Sequence, residues 1–456
     1  MHLPHMQPRA AALPLVSQTN TSLLNNALTQ RSLAAVWHPC TQMARAQQVL
    51  PLPIARGEGP WLFDTTGRRY FDANSSWWVN LFGHANPELN AAIKHQLDTL
   101  PHVMLAGCTH EPAVRLAERL STRTGGALGH VFFASDGASA VEIALKQSFH
   151  SWRNLGQTQR REFICLKNSY HGETIGALAV TDVAIFRDAY DPLLMRAHIV
   201  VSPDSRLNNE DAALADLREL LDERGEHVAA LIVEPLVQGA AGMVMHSPQY
   251  LRKVRALTRE FGIHLIADEI AVGCGRTGTF FAWEQVDTEQ WPDFITLSKG
   301  ITGGTLPLSL VLTTEAVYQT FWSEDVSRGF LHSHSYTGNA LACAAANAVL
   351  DRFDAGQIDA NRIQAAELAK AFASLVDHPR VKNFRQRGMI LAFDVIEPGE
   401  RFSERFHLAA RTHELLIRPI GATVYLMPPY VIDPAWAQFL ADAVSSTLNE
   451  VLQHAA

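Results

Sequence analysis

The stretch Ile263-His-Leu-Ile-Ala-Asp-Glu269, followed by Phe294-Ile-Thr-Leu-Ser-Lys-Gly300, decides the fold. Each run is short, apolar and bounded by turn signals, so each reads as a buried strand with a charged residue at its C-terminal edge. The 31 residues from Asp268 to Lys299 (299 − 268) leave room for one strand-to-strand crossover. In an open α/β sheet, ligands sit beyond that edge. An acid and an amine at neighbouring strand ends suit pyridoxal phosphate: the lysine forms a Schiff base with the aldehyde, and the aspartate keeps the ring nitrogen protonated. A lysine after a strand is more often a plain solvated strand end, so the pair needs support from the rest of the chain.

Outward from this pair, strand-like and helix-like segments alternate from Gly83 to about Leu350. His130–Ser135, Glu162–Leu166, Ala229–Glu234 and Leu308–Thr313 are further short apolar runs. One intervening helix is well marked: Ser247-Pro248 supplies an N-cap and a first-turn proline, Leu251, Val254, Leu257 and Phe261 recur at helical spacing, and Gly262 closes it. Strand, helix, strand in succession predicts an α/β domain with a mostly parallel sheet covered on both faces. The C-terminal part reads as a small α+β unit. It has helical stretches near 360–376 and 404–416, strands at Met389–Val395 and Thr423–Leu426, and a last helix from Asp433-Pro434. Trp61–Asp64 and Tyr70–Asp72 read as a β meander able to join it. The expected division is a tail over 1–30, an N-terminal part of the small domain over 31–82, a large domain over 83–345 and a C-terminal small domain over 346–456.

The chain has 456 residues, enough for a large core and two units, and a formal net charge of -8, which argues against a general nucleic-acid or anionic-membrane binder. Its five cysteines are scattered without CxxC spacing, and HExxH is absent, so neither a disulfide framework nor a metal site is expected. No signal-peptide pattern or long uncharged apolar stretch is present, which favours the cytoplasm.

Three motifs carry further chemistry. Ser135-Asp-Gly-Ala-Ser-Ala-Val-Glu142 follows a strand and opens a helix, so its backbone N–H groups suit a phosphate. Asn168-Ser-Tyr-His-Gly172 places Tyr170 at another strand end, where an aromatic stacks on a flat ring. Gly273-Cys-Gly-Arg-Thr-Gly278 forms a tight loop whose Arg276 suits a carboxylate. Each has an ordinary alternative: a strand-to-helix turn, a core aromatic, a solvated surface loop.

Taken in order, these pieces resemble the class III pyridoxal-phosphate-dependent aminotransferases of fold type I, from about Trp37 to Tyr430. Ile266-Ala-Asp-Glu-Ile270, Gly275-Arg-Thr-Gly278 and Leu297-Ser-Lys-Gly300 carry the general family. Trp37-His-Pro-Cys-Thr-Gln-Met43, Ser75-Ser-Trp-Trp78, Tyr336-Thr-Gly-Asn-Ala-Leu-Ala-Cys343, Ile417-Arg-Pro419 and Tyr425-Leu-Met-Pro-Pro-Tyr430 are similar to the branch that serves biotin biosynthesis. That branch aminates 8-amino-7-oxononanoate to 7,8-diaminononanoate with S-adenosylmethionine as donor.

The resemblance implies that Lys299 is the Schiff-base lysine, that Asp268 pairs with the pyridine nitrogen, and that Gly137 and Ala138 bind phosphate through their backbone. Tyr170 would lie against the ring and meet substrate, and Ser335 with His334 would reach the phosphate from a partner subunit of a homodimer. Cys40, Trp77, Trp78, Arg276 and Ser333 would line the substrate site, with Arg418 pairing with the acceptor's carboxylate through two parallel hydrogen bonds. The chain departs from the family pattern at Cys40, which stands where the motif has Tyr, and at Glu173, which stands where it has Asp. Both departures fall on the donor side, so lysine stays open as an alternative donor. Another class III ω-aminotransferase and a non-catalytic pyridoxal-phosphate-binding protein are the other readings.

Overall fold

The computed structural model describes residues 26–453. Seven strands form the central sheet: β1 (His130–Ala134), β2 (Glu162–Leu166), β3 (His198–Val200), β4 (Val228–Val233), β5 (His264–Asp268), β6 (Phe294–Leu297) and β7 (Ser309–Thr313). Their spatial order is β1-β7-β6-β5-β4-β2-β3. Only β7 runs against its neighbours, pairing antiparallel with both β6 and β1. The four pairings from β6 through β5, β4 and β2 to β3 are parallel. Six of these strands coincide with the apolar runs in the sequence. The edge strand β3 has three residues, too few to show a period.

Burial explains why the parallel strands read as continuous apolar runs. Every residue of β4, β5, β6 and β7 is buried, because helices cover both faces of the sheet. The helix Gly137–Asn154 lies on one face through Ala140, Val141, Ile143 and Ala144, and its Trp152 indole N–H donates to the carbonyl of Ala229 at 2.9 Å. Each fully buried Val, Leu or Ile contributes about 1.5–3 kcal/mol. Pro248–Glu260 forms with Ser247 as N-cap, the hydroxyl accepting from the N–H of Tyr250 at 3.1 Å.

The meander is present and joins the C-terminal part. Ile54–Glu58, Trp61–Asp64 and Arg69–Asp72 are antiparallel, and Leu415–Leu416 adds a parallel strand beside Arg69–Asp72. Trp61 and Phe71 then pack with Trp436 and Phe439 of the last helix, Pro434–Gln453. Helix 404–416 is shorter than its pattern suggests. It ends at Ala410, and Leu415 and Leu416 extend instead, because strand Arg69–Asp72 offers them a hydrogen-bonding edge.

The expected tail lies outside the described residues as far as residue 25. From Ala27 to Ala35 the chain is helical, capped by the Asn26 side chain, which also donates to the Thr65 hydroxyl at 2.8 Å. Among the described residues no helix is long and apolar enough to cross a membrane.

Candidate active site

The parallel register sets Asp268 directly opposite Thr296, and Lys299 follows three residues later at the same sheet edge. The buried Asp268 carboxylate is held on both oxygens. Oδ1 accepts from the Thr296 hydroxyl and the Ile270 N–H, each at 3.1 Å, and Oδ2 lies 2.7 Å from Nδ1 of His171. Lys299 leaves its strand with φ 45°, a left-handed turn that a non-glycine residue adopts only under tertiary constraint. Ser298 braces it by donating to the Leu308 carbonyl at 2.9 Å. Burial lowers the pKa of the Lys299 amine, while Asp268 and Glu234 oppose that shift.

Three separate crossovers meet here at close quarters. A Cβ on Gly137 would lie 3.0 Å from Cδ1 of Ile270, two residues past Asp268, and one on Gly172 would lie 2.6 Å from Cβ of Ala138. Gly172 has φ 130°, so the bare backbone at 172 serves both the turn and the contact. Asp136 caps the helix at this junction by accepting from Ser139 N–H and hydroxyl. Among the described residues the N–H groups of Gly137 and Ala138 have no acceptor. Free amides at the start of an 18-residue helix favour an anion. With an amine and an oriented carboxylate nearby, this donor set fits pyridoxal phosphate.

His334 reaches the same turn within one chain, its Nε2 3.1 Å from the Ser135 hydroxyl. Ser335 is exposed, with its carbonyl 2.7 Å from Nε2 of His102, and Ser333 is exposed as well.

Tyr170 is half-buried. Its N–H donates to Glu234 at 3.1 Å and its hydroxyl to Glu173 at 2.9 Å. Burial and the Glu173 carboxylate both raise the Tyr170 pKa, so the phenol stays neutral. Cys40 belongs to the same cluster: burial and Glu173 raise its thiol pKa, and Arg418 lowers it. Arg418 is exposed; its backbone N–H donates to Asn74 at 2.8 Å, and its guanidinium has no ion-pair partner among the described residues.

Two expectations need correction. Arg276 faces no open substrate site: it is 1% exposed, and its guanidinium donates to the carbonyls of Met427, Pro428, Trp78 and Asn80. A desolvated guanidinium needs its hydrogens satisfied, and four carbonyls from two chain segments take up those of its two terminal nitrogens, leaving Nε alone without an acceptor among the described residues. The tryptophan pair is also divided: Trp77 is 53% exposed, whereas Trp78 is 6% exposed with its indole N–H donating to Tyr425.

The turn that divides them has an unusual backbone. Ser75, Ser76, Trp77 and Trp78 all have left-handed φ, at 51°, 47°, 71° and 74°. Such residues cost about 1–2 kcal/mol each. Hydrogen bonds from both flanks offset this: Ser76 donates twice to Asp72, Ser75 to the Met427 carbonyl and Asn74 to the Tyr425 carbonyl.

Sequence reasoning left His171, Thr296 and Glu234 out of the site. Only the strand register was needed to find Thr296. His171 neighbours Tyr170 and was legible once the Tyr-His-Gly turn was set against Asp268. Glu234 stood at a strand end beside Pro235, and in the fold it accepts from Tyr170 N–H and from Gly239 N–H at 3.0 Å.

Comparison with known proteins agrees with this geometry. The family pattern described as "Aminotransferase class-III" matches residues 42–448. A Helicobacter pylori protein named adenosylmethionine-8-amino-7-oxononanoate aminotransferase is 43% identical over 417 residues, covering 88% of this chain and 94% of its own. The crystal structure of the enzyme of that name from Methanocaldococcus jannaschii superposes with a TM-score of 0.87 at 33% identity, covering 93% of this chain and 98% of that one. An (S)-enantioselective omega-transaminase from Thermomicrobium roseum also superposes with a TM-score of 0.87, at 30% identity over 93% of this chain and 98% of its own. The chain belongs to the class III aminotransferases, a pyridoxal-phosphate-dependent family.

Proposed function

We propose that this chain transfers an amino group to 8-amino-7-oxononanoate, producing 7,8-diaminononanoate for biotin biosynthesis, with S-adenosylmethionine as donor. The observation that carries the acceptor is Arg418: an exposed guanidinium, free of ion pairs among the described residues, whose charge reaches the Cys40 thiol. A planar guanidinium binds a carboxylate through two parallel hydrogen bonds, and the acceptor ends in one. Relatives that carry the name of this activity support the same reading.

Pyridoxal phosphate, when bound, supplies an aldehyde that exchanges amines and a ring that stores electrons. Lys299 Nζ would hold it covalently; once free, the same nitrogen would move a proton between the substrate carbon that bears the amine and the carbon of the cofactor's aldehyde group. Asp268, fixed by His171 and Thr296, would keep a proton on the ring nitrogen. The Gly137 and Ala138 amides, with His334 beside them, would hold the phosphate, and Tyr170 would lie against the ring. We also place Ser335 at the phosphate of a partner subunit in a cytoplasmic homodimer, and Trp77 and Ser333 on the substrate path.

A half-reaction assay tests the donor. The purified enzyme loaded with pyridoxal phosphate is mixed with S-adenosylmethionine or with lysine, and conversion of the cofactor to its amine form is followed by absorbance. Conversion by lysine alone overturns the donor, and conversion by neither overturns both. In the full reaction, Lys299→Ala should abolish turnover.

A further inference from the structure

Trp78 has a different neighbour from Trp77. Lys299 Nζ sits 4.7 Å from the centroid of the Trp78 ring, inside the range at which a cation is held by an aromatic face. We propose that Trp78 is a positioning residue for Lys299: its indole face is the platform on which the free ammonium rests, and it favours the charged form of that amine. This rests on the reading of Lys299 as the cofactor lysine.

The platform is fixed on every side. A Cβ on Gly239 would approach Cη2 of Trp78 to 3.0 Å, so the backbone at 239 lies directly against the indole. The indole N–H donates to the Tyr425 hydroxyl at 3.0 Å, and the Tyr425 ring meets Trp78 edge-on at 6.1 Å. The Trp78 carbonyl accepts from the buried Arg276 guanidinium at 3.3 Å. The left-handed turn Ser75–Trp78 therefore has a purpose for its strain: it turns one tryptophan inward under the lysine and leaves the other outside.

The remaining charged groups acting on Lys299 are Asp268 and Glu234. Both favour the ammonium while ionised. The ring does the same without titrating. A lysine that accepts a proton from a substrate carbon becomes an ammonium in a site with little water, and a π face stabilises that state at the moment it forms. On this account Trp78 governs how readily Lys299 takes a proton, whereas substrate affinity depends on groups elsewhere.

Competitive labelling of the cofactor-free protein with acetic anhydride across pH, with the Lys299 peptide quantified by mass spectrometry, reads the amine's titration midpoint directly. The midpoint should fall by about 0.5–1.5 pH units in Trp78→Leu and by less in Trp78→Phe. A folded Trp78→Leu protein with an unchanged or raised midpoint overturns the proposal. If Trp78→Leu does not fold, a wild-type midpoint in Trp78→Phe, which preserves an aromatic core, overturns it instead. Pyridoxal phosphate added before the label should protect Lys299. Failure to protect would count against Lys299 as the cofactor lysine and leave the effect of the ring on its amine standing.

Discussion

His171 and Asp268 are joined side chain to side chain beneath the sheet edge, with Nδ1 of the imidazole 2.7 Å from Oδ2 of the carboxylate and both residues buried. They arrive from different crossovers, His171 from the loop after β2 and Asp268 from the end of β5. The second imidazole nitrogen, Nε2, is buried without a partner among the described residues. The imidazole therefore spends its one hydrogen bond among the described residues on aiming the acid. Replacing His171 with Ala should weaken pyridoxal phosphate binding about tenfold, the loss of one hydrogen bond to a charged group. Equilibrium dialysis measures it, and wild-type affinity in that variant would remove His171 from the site.

Gly172→Ala tests the junction of the phosphate turn with the Tyr-His-Gly loop. The added methyl would meet Cβ of Ala138 at 2.6 Å from a backbone at φ 130°, so both contact and conformation oppose it. We expect a cost of about 1–3 kcal/mol together with impaired cofactor uptake. Thermal denaturation and a cofactor titration check the two effects, and uptake equal to wild type would show that the junction yields.

Arg276→Lys should behave as a stability variant. One ammonium cannot reach four carbonyls on two segments, so buried acceptors lose their donors, at about 3–5 kcal/mol. Chemical denaturation should register this loss, with the acceptor KM of the folded fraction unchanged. A raised KM at wild-type stability would return Arg276 to the substrate site.

Arg418→Ala should do the opposite. Its guanidinium is exposed and has no ion-pair partner among the described residues, so the fold loses little. A charge-assisted contact to the acceptor is worth about 1.5–3 kcal/mol, which lowers kcat/KM for the acceptor by about 10- to 150-fold. Rapid-mixing kinetics of the two half-reactions separate the sides, and a larger loss with the amino donor would place Arg418 on the donor side.

Glu234 predicts a pH dependence of the cofactor-free protein. Burial, the largest influence, pushes its carboxyl up from 4.5 to about 7; nearby His171 opposes and Asp268 adds to the rise. The folded chain thus holds this proton more tightly than the unfolded chain. That stabilisation is fully present below about pH 4.5 and is lost as pH rises through about 7, by up to about 3 kcal/mol. Glu269, pushed up to about 8 by burial, adds a loss of the same sign extending to higher pH. Urea unfolding at pH 5 and pH 7 should show a smaller drop for Glu234→Gln than for the wild type. Equal drops would mean that Glu234 does not titrate in this range.

The parallel sheet was legible because buried strands read as apolar runs with turn residues at their ends, and five of the six runs differ from the observed strands by one residue or less at either end. The phosphate turn was legible for a related reason: Asp136 and the small residues after it state a helix start locally. Arg276 was misread because an arginine in a glycine-rich loop carries no local sign of whether it meets solvent or carbonyls. Those carbonyls belong to Trp78, Asn80, Met427 and Pro428, far away in sequence. Likewise, no pattern in Ser75-Ser-Trp-Trp78 announces a left-handed turn, since its restraints come from Asp72 on one side and the Met427 and Tyr425 neighbourhood on the other.

By itself, then, the sequence determined which residues stand at the ends of the strands, among them Asp268 and Lys299, because periodicity and turn chemistry act over a few neighbours. The tertiary structure decided what those residues face. His171 against Asp268, Trp78 under Lys299 and Arg276 sealed among carbonyls all join segments tens to hundreds of residues apart. Such contacts form only when the crossovers close, and there hydrogen-bond satisfaction and packing outweigh any local preference.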